Sequence, residues 1–331
     1  MKINPLKSKV TTEHKHDAPL LCCAYDMGGK FLFAGGRDNG VVVIDLKSGK
    51  KTILKGHDSW VCAISRIGPD VVLTSDSNGK IIAWDCGAEV PSQKWIIQAH
   101  PSSIQALSVS FNGDYLATGD RQGEVKIWQA SNGKLAHQLA QLEYLISGLA
   151  WHPDGKQIIT ADRKPQKPRI KIWDISTLKE TLSIDVPELS GYRRVEDIEW
   201  GGIRFLIVSP DGNQIIACGR NGYDGPACAL LFDSSTGKLQ RKFVSGLKGF
   251  CYYALFHPEG FLMTASGDVG KGEFQTWSIT KDESVAVVST SGPCSSIAIH
   301  PDGKQFAVTQ SVGKNSYPDS GLIVFHQWEE K

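Results

Sequence analysis

The stretch that decides the fold is WHPDGKQIITADRKPQKPRIKIWD, from Trp151 to Asp174. It opens on a tight turn, because Pro153 fixes φ and Gly155 permits a positive φ. It then passes through two apolar segments of strand length and closes on the pair Trp173-Asp174. The turn predicts a hairpin between the strand before it and the strand after it.

The closing pair recurs along the chain as an apolar run that ends in a large residue, usually followed by an acidic or small polar one. Neighbouring copies are about 40 to 48 residues apart, except for one interval of about 59, which indicates an insertion. A fixed period of this length is the signature of a repeat architecture. The copies end at Ile44-Asp45, Trp84-Asp85, Trp128-Gln129, Trp173-Asp174, Phe232-Asp233, Trp277-Ser278 and Phe325-His326.

The turn recurs in phase with the closing pair, and Gly56-His57, repeated as Ala99-His100, comes just before a new unit. Each unit therefore reads as four short strands. Third strands such as Val41-Val42-Val43-Ile44 are apolar without alternation, as expected when both faces of a strand are covered. In unit three the predicted strands are Ile104–Phe111, Tyr115–Thr118, Glu124–Trp128 and Leu135–Leu139.

The period, the Gly-His pair, the Pro-Asp-Gly turn and the Trp-Asp pair together resemble the WD-repeat β-propeller family, along nearly the whole chain. The resemblance implies an all-β fold, a seven-bladed β-propeller of four-stranded antiparallel blades, as one domain over residues 1–331. The predicted blades cover residues 14–55, 56–98, 99–140, 141–185, 200–244, 245–289 and 290–326, with an insertion at 185–202.

The last unit shows three strands, at Ser295–Ile299, Gln305–Thr309 and Leu322–His326. Residues 6–13 have the length of one strand and belong to no other blade. An open blade would leave an unpaired strand edge, so we predict that residues 6–13 complete blade seven and close the ring, as is common in the family.

Composition excludes some functions. The net charge is +1, from 36 basic and 35 acidic residues, which argues against bulk binding to nucleic acid or anionic membranes. No apolar run reaches the length of a membrane-spanning helix, and no apolar run follows the N-terminal residues as in a secretory signal. The eight cysteines show no Cys-x-x-Cys spacing, so we expect reduced thiols and a cytoplasmic protein. The sequence predicts no cofactor and no bound metal.

Several side chains that look chemical are predicted to be structural. By the resemblance, His57, Thr74, Asn78 and Trp84 hold the places of a hydrogen-bonded tetrad, with Asn78 where the family has Asp. A buried indole N–H needs an acceptor, which favours structure over catalysis. His152, His257 and His300 occupy the same turn in three different blades, so they are predicted to be turn residues rather than ligands of one metal ion. The second tetrad is His100, Thr118, Gln122 and Trp128, and Trp173 and Trp277 are also assigned a structural role.

The longest connections fall at one end of the blades, which we name the top end: it carries the loop between strands two and three and the link to the next blade. These loops are short in blades one to three and longer in blades four to seven. The blade-four loop, residues 163–169, is rich in lysine and arginine and contains no acid. Loops on a rigid scaffold often carry recognition, and aromatic and arginine side chains dominate interface energies. The predicted partner-binding residues are Arg37, Trp60, Arg121, Arg163, Lys164, Arg193, Arg194, Arg220, Phe250 and Tyr252.

These patterns favour a non-catalytic scaffold that binds a partly acidic peptide or protein segment on the top face, as a monomer or within a larger complex. Two alternatives stay open. One is a propeller enzyme with a ligand or metal site in the central channel, although the first strands, such as Val61–Arg66, read as apolar. The other is nucleic-acid contact through the basic blade-four loop, where a local patch would suffice despite the neutral chain.

Overall fold

The computed structural model describes residues 3–193, 198–199, 201–281, 284–313 and 318–330, with only the backbone at 192, 193, 198 and 199. These residues form an all-β protein with seven four-stranded antiparallel sheets, a seven-bladed β-propeller, which confirms the predicted fold class. The chain divides into two compact units. The first unit is Met1–Pro101 with Leu255–Lys331, and the second is Ser102–Ala254.

The strands follow one another along the chain with short connections. After β1 (Ile3–His16), blade one is β2 (Leu20–Tyr25), β3 (Phe31–Gly36), β4 (Val41–Asp45) and β5 (Lys51–Leu54). Blade two is β6 (Val61–Ile67), β7 (Val71–Asp76), β8 (Lys80–Asp85) and β9 (Ser92–Gln98). Blade three is β10 (Ile104–Val109), β11 (Tyr115–Asp120), β12 (Val125–Gln129) and β13 (Leu135–Gln138).

Blade four is β14 (Ile146–Trp151), β15 (Gln157–Asp162), β16 (Arg169–Asp174) and β17 (Lys179–Asp185). A 3-10 turn, Pro187–Leu189, and the small hairpin of β18 (Tyr192–Arg193) and β19 (Ile198–Glu199) lie in the predicted insertion. Blade five is β20 (Phe205–Val208), β21 (Gln214–Arg220), β22 (Pro226–Asp233) and β23 (Leu239–Lys248). Blade six is β24 (Phe250–His257), β25 (Phe261–Asp268), β26 (Lys271–Ser278) and β27 (Ser284–Thr290).

Blade seven takes its outer strand from the start of the chain. It consists of β28 (Cys294–Ile299), β29 (Gln305–Val312) and β30 (Ser320–Glu330), with β1 paired to β30 from Ile3↔Glu330 to His16↔Gly321. The predicted closure is therefore confirmed, and the strand extends beyond residues 6–13 at both ends. Neighbouring blades also hold β1, because Thr276 Oγ1 donates to Pro5 O over 3.0 Å and Lys51 Nζ donates to Lys15 O over 2.7 Å.

The apolar third strands are covered on both faces, as their sequence predicts. Val41, Val42, Val43 and Ile44 of β4 are all buried, with no more than 2% of their surface exposed. β3 is buried along its whole length. The hydrophobic core therefore runs between successive blades rather than on one side of each sheet.

The repeated histidines fasten the turn of one blade to the turn of the next. In the second unit, His152 Nε2 lies 3.0 Å from Gly212 O. Because a carbonyl oxygen is only an acceptor, Nε2 is the donor in this bond. A Cβ atom at Gly212 would lie 2.5 Å from the same nitrogen, and its φ is +79°, so this turn requires glycine for space and for conformation. In the first unit the equivalent pairs are His257 with Gly303 O and His300 with Gly29 O, both at 3.1 Å.

The connection between β25 and β26 differs from the sequence prediction. The two strands extend to Asp268 and Lys271 and are joined by Val269 and Gly270 alone. The extra residues of blade six thus lengthen two paired strands instead of forming a loop. In blade seven, residues 314–317 of the predicted loop lie outside the described residues.

The tryptophan position of blade seven is shifted by one residue from the sequence prediction. His326 pairs with Phe306, in the register that joins Trp173 to Ile158 in blade four. His326, rather than Phe325, therefore takes the tryptophan position, and its ring stacks on Phe306 at 4.7 Å. A one-residue slip exchanges the two faces of a strand, so this shift decides which side chain packs there.

We predict that His326 makes the fold sensitive to acid. Burial lowers the pKa of His326 to about 4, whereas a histidine in an unfolded chain titrates near 6.5. The unfolded chain binds the extra proton between these values, so stability is full above about pH 6.5 and is lost as the pH falls towards 4. Between pH 7.5 and 4, we expect wild type to lose about 2–3 kcal/mol more unfolding free energy than His326→Phe. Denaturant titrations at several pH values measure this difference, and parallel curves for the two proteins would contradict it.

Candidate functional site

One position of the blade repeat carries arginine in four blades. It follows directly on the residues of strand two that pair with strand one, at the top end. In three of these blades the backbone N–H of this arginine donates to the carbonyl of a residue just before strand one. In blade five, the pairing of Ile215 with Phe232 shows that Arg220 occupies the same position of the repeat. The bonds are Arg37 N to Pro19 O, 3.0 Å, Arg121 N to Ser103 O, 2.9 Å, and Arg163 N to Leu145 O, 3.1 Å.

In the second unit, two guanidinium groups lie against one aromatic ring at the top ends of blades five and six. The Cζ atoms of Arg204 and Arg220 are 4.3 and 5.2 Å from the centroid of Phe250. Both distances fall within the range of cation–π attraction. The ring of Tyr252 is 5.9 Å from that of Phe250, and both aromatic side chains are half-buried.

Arg220 belongs to the interior of this cluster. Its side chain is only 4% exposed. Its Nε donates to Gly225 O over 3.1 Å, and its Nη2 pairs with Asp224 Oδ1 over 3.0 Å. Arg220 therefore holds the blade-five loop and supports Phe250 from within. The sequence prediction had placed it among the residues that touch a partner.

Arg121 and Arg163 lie in the same unit, in blades three and four. Arg121 is exposed, and Arg163 is half-buried. Burial lowers the pKa of the Arg163 guanidinium, Tyr252 partly offsets this, and the charge of Arg121 lowers the pKa by a smaller amount. Gly202 packs so closely on Arg163 that a Cβ atom there would lie 2.8 Å from its Cγ, which anchors the side chain at its base.

In the first unit, Arg37 and Trp60 form a second arginine–aromatic pair. The Arg37 Cζ lies 4.7 Å from the Trp60 ring, and 46% of the Trp60 surface is exposed. Ser77 N donates to Trp60 O over 2.9 Å, which fixes the backbone under the indole. Trp60 is thus an exposed aromatic side chain on a rigid support.

The blade-four loop is less cationic than its own sequence indicates. Lys164 Nζ pairs with Glu143 over 3.1 Å and lies 4.5 Å from the Tyr144 ring centroid. Arg169 Nε pairs with Asp185 over 3.1 Å. Acidic side chains from neighbouring segments thus offset two of the four positive charges of this loop. This argues against a nucleic-acid site in the loop. Of the insertion's two arginines, Arg194 lies outside the described residues, and only the backbone of Arg193 is described.

The tetrad of blade two is formed in the interior, but its acid is Asp76 and not residue 78. His57 Nδ1 donates to Asp76 Oδ2 over 2.9 Å, and Thr74 Oγ1 donates to His57 Nε2 over 2.7 Å. Trp84 Nε1 donates to Thr74 Oγ1 over 2.8 Å. Burial alone would raise the pKa of Asp76, but the hydrogen bonds from His57 and from backbone N–H groups outweigh it and lower that pKa.

Asp76 also caps the turn after strand two. Its Oδ1 accepts from Asn78 N and Lys80 N, at 2.9 and 3.0 Å. The prediction that Asn78 and Gln122 stand in the acid position was therefore wrong, because in blade three Asp120 accepts from the equivalent N–H groups of Gln122 and Glu124. Trp128, Trp173 and Trp277 each donate Nε1 to a strand-two threonine, Thr118, Thr160 and Thr264, at 2.8, 3.0 and 2.9 Å. His100 is 1% exposed.

Comparison with known proteins agrees with this architecture. A model of the WD domain, G-beta repeat, matches residues 7–45, 91–129 and 133–174. These three segments are therefore similar to WD40 repeats, and the fold that contains them is a seven-bladed β-propeller. The first match runs from β1, the outer strand of blade seven, to the end of β4 in blade one, so the sequence repeat is offset from the structural blade.

Several curated proteins are similar to this chain over part of their length. The Periodic tryptophan protein 2 homolog of Schizosaccharomyces pombe is 26% identical over 55% of this chain and 20% of that protein. Nuclear distribution protein PAC1 of Arthroderma benhamiae is 27% identical over 68% of this chain and 53% of that protein. The F-box-like/WD repeat-containing protein TBL1X of Macaca fascicularis is 30% identical over 40% and 25%. The chain thus spans from one fifth to about half of the length of these relatives. Within its described residues, no helix has the length and apolar character needed to cross a membrane.

Sequence reasoning missed Arg204, which lies just before strand one of blade five. Its place in the repeat could have identified it, since Trp60 and Phe250, which were predicted as binding residues, also lie at the start of strand one, in blades two and six. Arg204 was overlooked because it lies between an insertion and a strand, where the repeat is hardest to align.

Proposed function

We propose that this WD-repeat chain is a non-catalytic, cytoplasmic interaction scaffold that holds a partly acidic peptide or protein segment on its top face. The observation that carries the proposal is the set of arginine–aromatic pairs at the top ends of the blades, namely Arg37 with Trp60 and Arg204 with Phe250. Aromatic and arginine side chains are the residues that most often dominate binding at interfaces.

The burial of the polar tetrad supports a structural role for it. The side chains of His57 and Asp76 are both 0% exposed, so neither touches a molecule in solution. Their hydrogen bonds are used within the blade. A cytoplasmic location is supported by the cysteines, since all eight are free and seven of them are buried.

The test compares two exposed aromatic side chains at opposite ends of their blades. Phe111, in the turn between β10 and β11, is 82% exposed and lies at the end opposite to the top. A tagged chain is used to capture its partner from the source cells, and binding of the purified partner is then measured. We expect Trp60→Ala to weaken binding by about 30-fold, the size of a hot-spot loss, and Phe111→Ala to leave it unchanged.

Equal binding by both variants, or a loss with Phe111→Ala alone, would contradict the top-face proposal. A nucleic acid as the captured molecule would also contradict it.

A further inference from the structure

We infer that the second unit carries an anion-binding site, formed by Arg121, Arg163 and Arg204 at the top ends of blades three to five. The ligand is an acidic side chain, carboxylate or phosphoryl, on an extended protein segment. This inference rests on the proposed function and names the group that the top face recognises.

The repeat itself places these charges together. Arg121 and Arg163 occupy one register position in consecutive blades and share the same backbone hydrogen bond to the residue before strand one. Arg204 precedes strand one of the next blade, and the N–H of Arg204 donates to Cys218 O over 2.8 Å. Gly202 joins the two groups, because it packs directly on Arg163 two residues before Arg204. Rigid backbone thus holds all three side chains at their bases.

The electrostatics favour an anion. Within the described part of the chain, neither Arg121 nor Arg163 forms an ion pair. Arg121 and Arg163 carry like charges at one register position of consecutive blades, where they repel each other, and the partial burial of Arg163 reduces the screening of its charge by water. A carboxylate or phosphoryl group placed between them would relieve this repulsion and could accept paired hydrogen bonds from a guanidinium.

Phe250 and Tyr252 form the floor of the site. Arg204 lies over the Phe250 ring at 4.3 Å, which restricts the orientations of its guanidinium and lowers the entropy lost on binding. Arg220 acts as a positioning residue, since its buried guanidinium contacts Phe250 and is already bonded to Gly225 and Asp224. The aromatic edges also offer apolar contact to the chain that carries the acid.

These features fit a protein segment better than a nucleic acid. Nucleic-acid binding depends on many phosphate contacts along a strand. Two other cations of blade four, Lys164 and Arg169, are paired with acids and do not extend the site. A small group of arginines beside aromatic rings suits one or two acidic side chains flanked by apolar ones.

The experiment uses fluorescence anisotropy with the full chain and three labelled peptides of one scaffold, carrying glutamate, phosphoserine or glutamine at the same positions. We expect the glutamate or the phosphoserine peptide to bind at least about tenfold more tightly than the glutamine peptide, and more weakly as salt rises. Arg121→Gln and Arg163→Gln should each weaken binding of the acidic peptide by about tenfold. Arg163→Lys, which keeps the charge, should weaken it less.

The matched control is Arg66→Gln, which removes an exposed arginine at the end of β6, opposite to the top. It should leave binding unchanged, and melting curves of all variants confirm that they fold. Equal binding of acidic and glutamine peptides, no binding of either, or an equal loss with Arg66→Gln would overturn the inference. So would tighter binding of single-stranded RNA, or of inorganic phosphate alone. If these peptides fail while partner binding still depends on Trp60, the inference fails and the proposed function stands.

Discussion

A chain that begins at His14 should be much less soluble than the full chain and should melt roughly 5–10 °C lower, since it loses several kcal/mol of stability. The reason lies in β1, which pairs with β30 along its length and completes blade seven. The truncation removes most of β1 and leaves β30 without a partner from Val324 onward, where Val324, Phe325 and Trp328 are buried in the full chain. Unpaired edge strands both destabilise a sheet and template aggregation.

The control for this truncation changes side chains and keeps the strand. Lys7 and Lys9 lie on β1 and are mostly exposed, so Lys7→Ser/Lys9→Ser should melt within a few degrees of wild type. A synthetic peptide of residues 1–13 added to the truncated chain should restore part of the lost stability. An unchanged melting curve for the truncation would show that β1 does not close the fold.

The replacement His57→Ala should cost about 3 kcal/mol of unfolding free energy. Asp76 Oδ2 loses the donor at 2.9 Å, and Thr74 loses the acceptor that orients its hydroxyl towards the Trp84 indole. Both partners are fully buried, so water does not replace the missing bonds without a change in packing. Denaturant titration measures the cost.

His137→Ala is the matched control for that measurement, because His137 is an exposed histidine on β13. Its unfolding free energy should equal that of wild type within about 0.5 kcal/mol. Partner binding by folded His57→Ala should persist. A His57→Ala protein with wild-type stability that had lost a measurable hydrolytic activity would refute the structural assignment.

The sequence was sufficient for the repeat, the number of blades and the closure by the N-terminal strand. These follow from turn chemistry and apolar periodicity, which are local signals. It was not sufficient for positions that depend on strand register. His326 takes the tryptophan position in place of Phe325, and Asp76 supplies the acid in place of Asn78. In both regions neighbouring residues are chemically plausible, and only the pairing of strands distinguishes them.

The residues of the candidate site could be predicted from the sequence, but the ion pairs that they form could not. The exposed Trp60 and the arginines that follow strand two could be located by their place in the repeat. The partners of Lys164 and Arg169 could not, since Glu143 and Asp185 lie on other segments that the fold brings near. The connection between strands two and three of blade six was predicted to be a long loop. The residues of that loop instead form two additional strand pairs, and sequence length alone does not distinguish the two arrangements.

The most direct test of the top-face account is the ratio of two dissociation constants for the captured partner, measured for Trp60→Ala and for Phe111→Ala. Both changes remove one exposed aromatic side chain, and the two positions lie at opposite ends of their blades. If the partner binds at the top face, Trp60 contacts it and Phe111 does not, and the ratio should be about 30. A ratio near one, or a weaker complex with Phe111→Ala than with Trp60→Ala, would contradict the account.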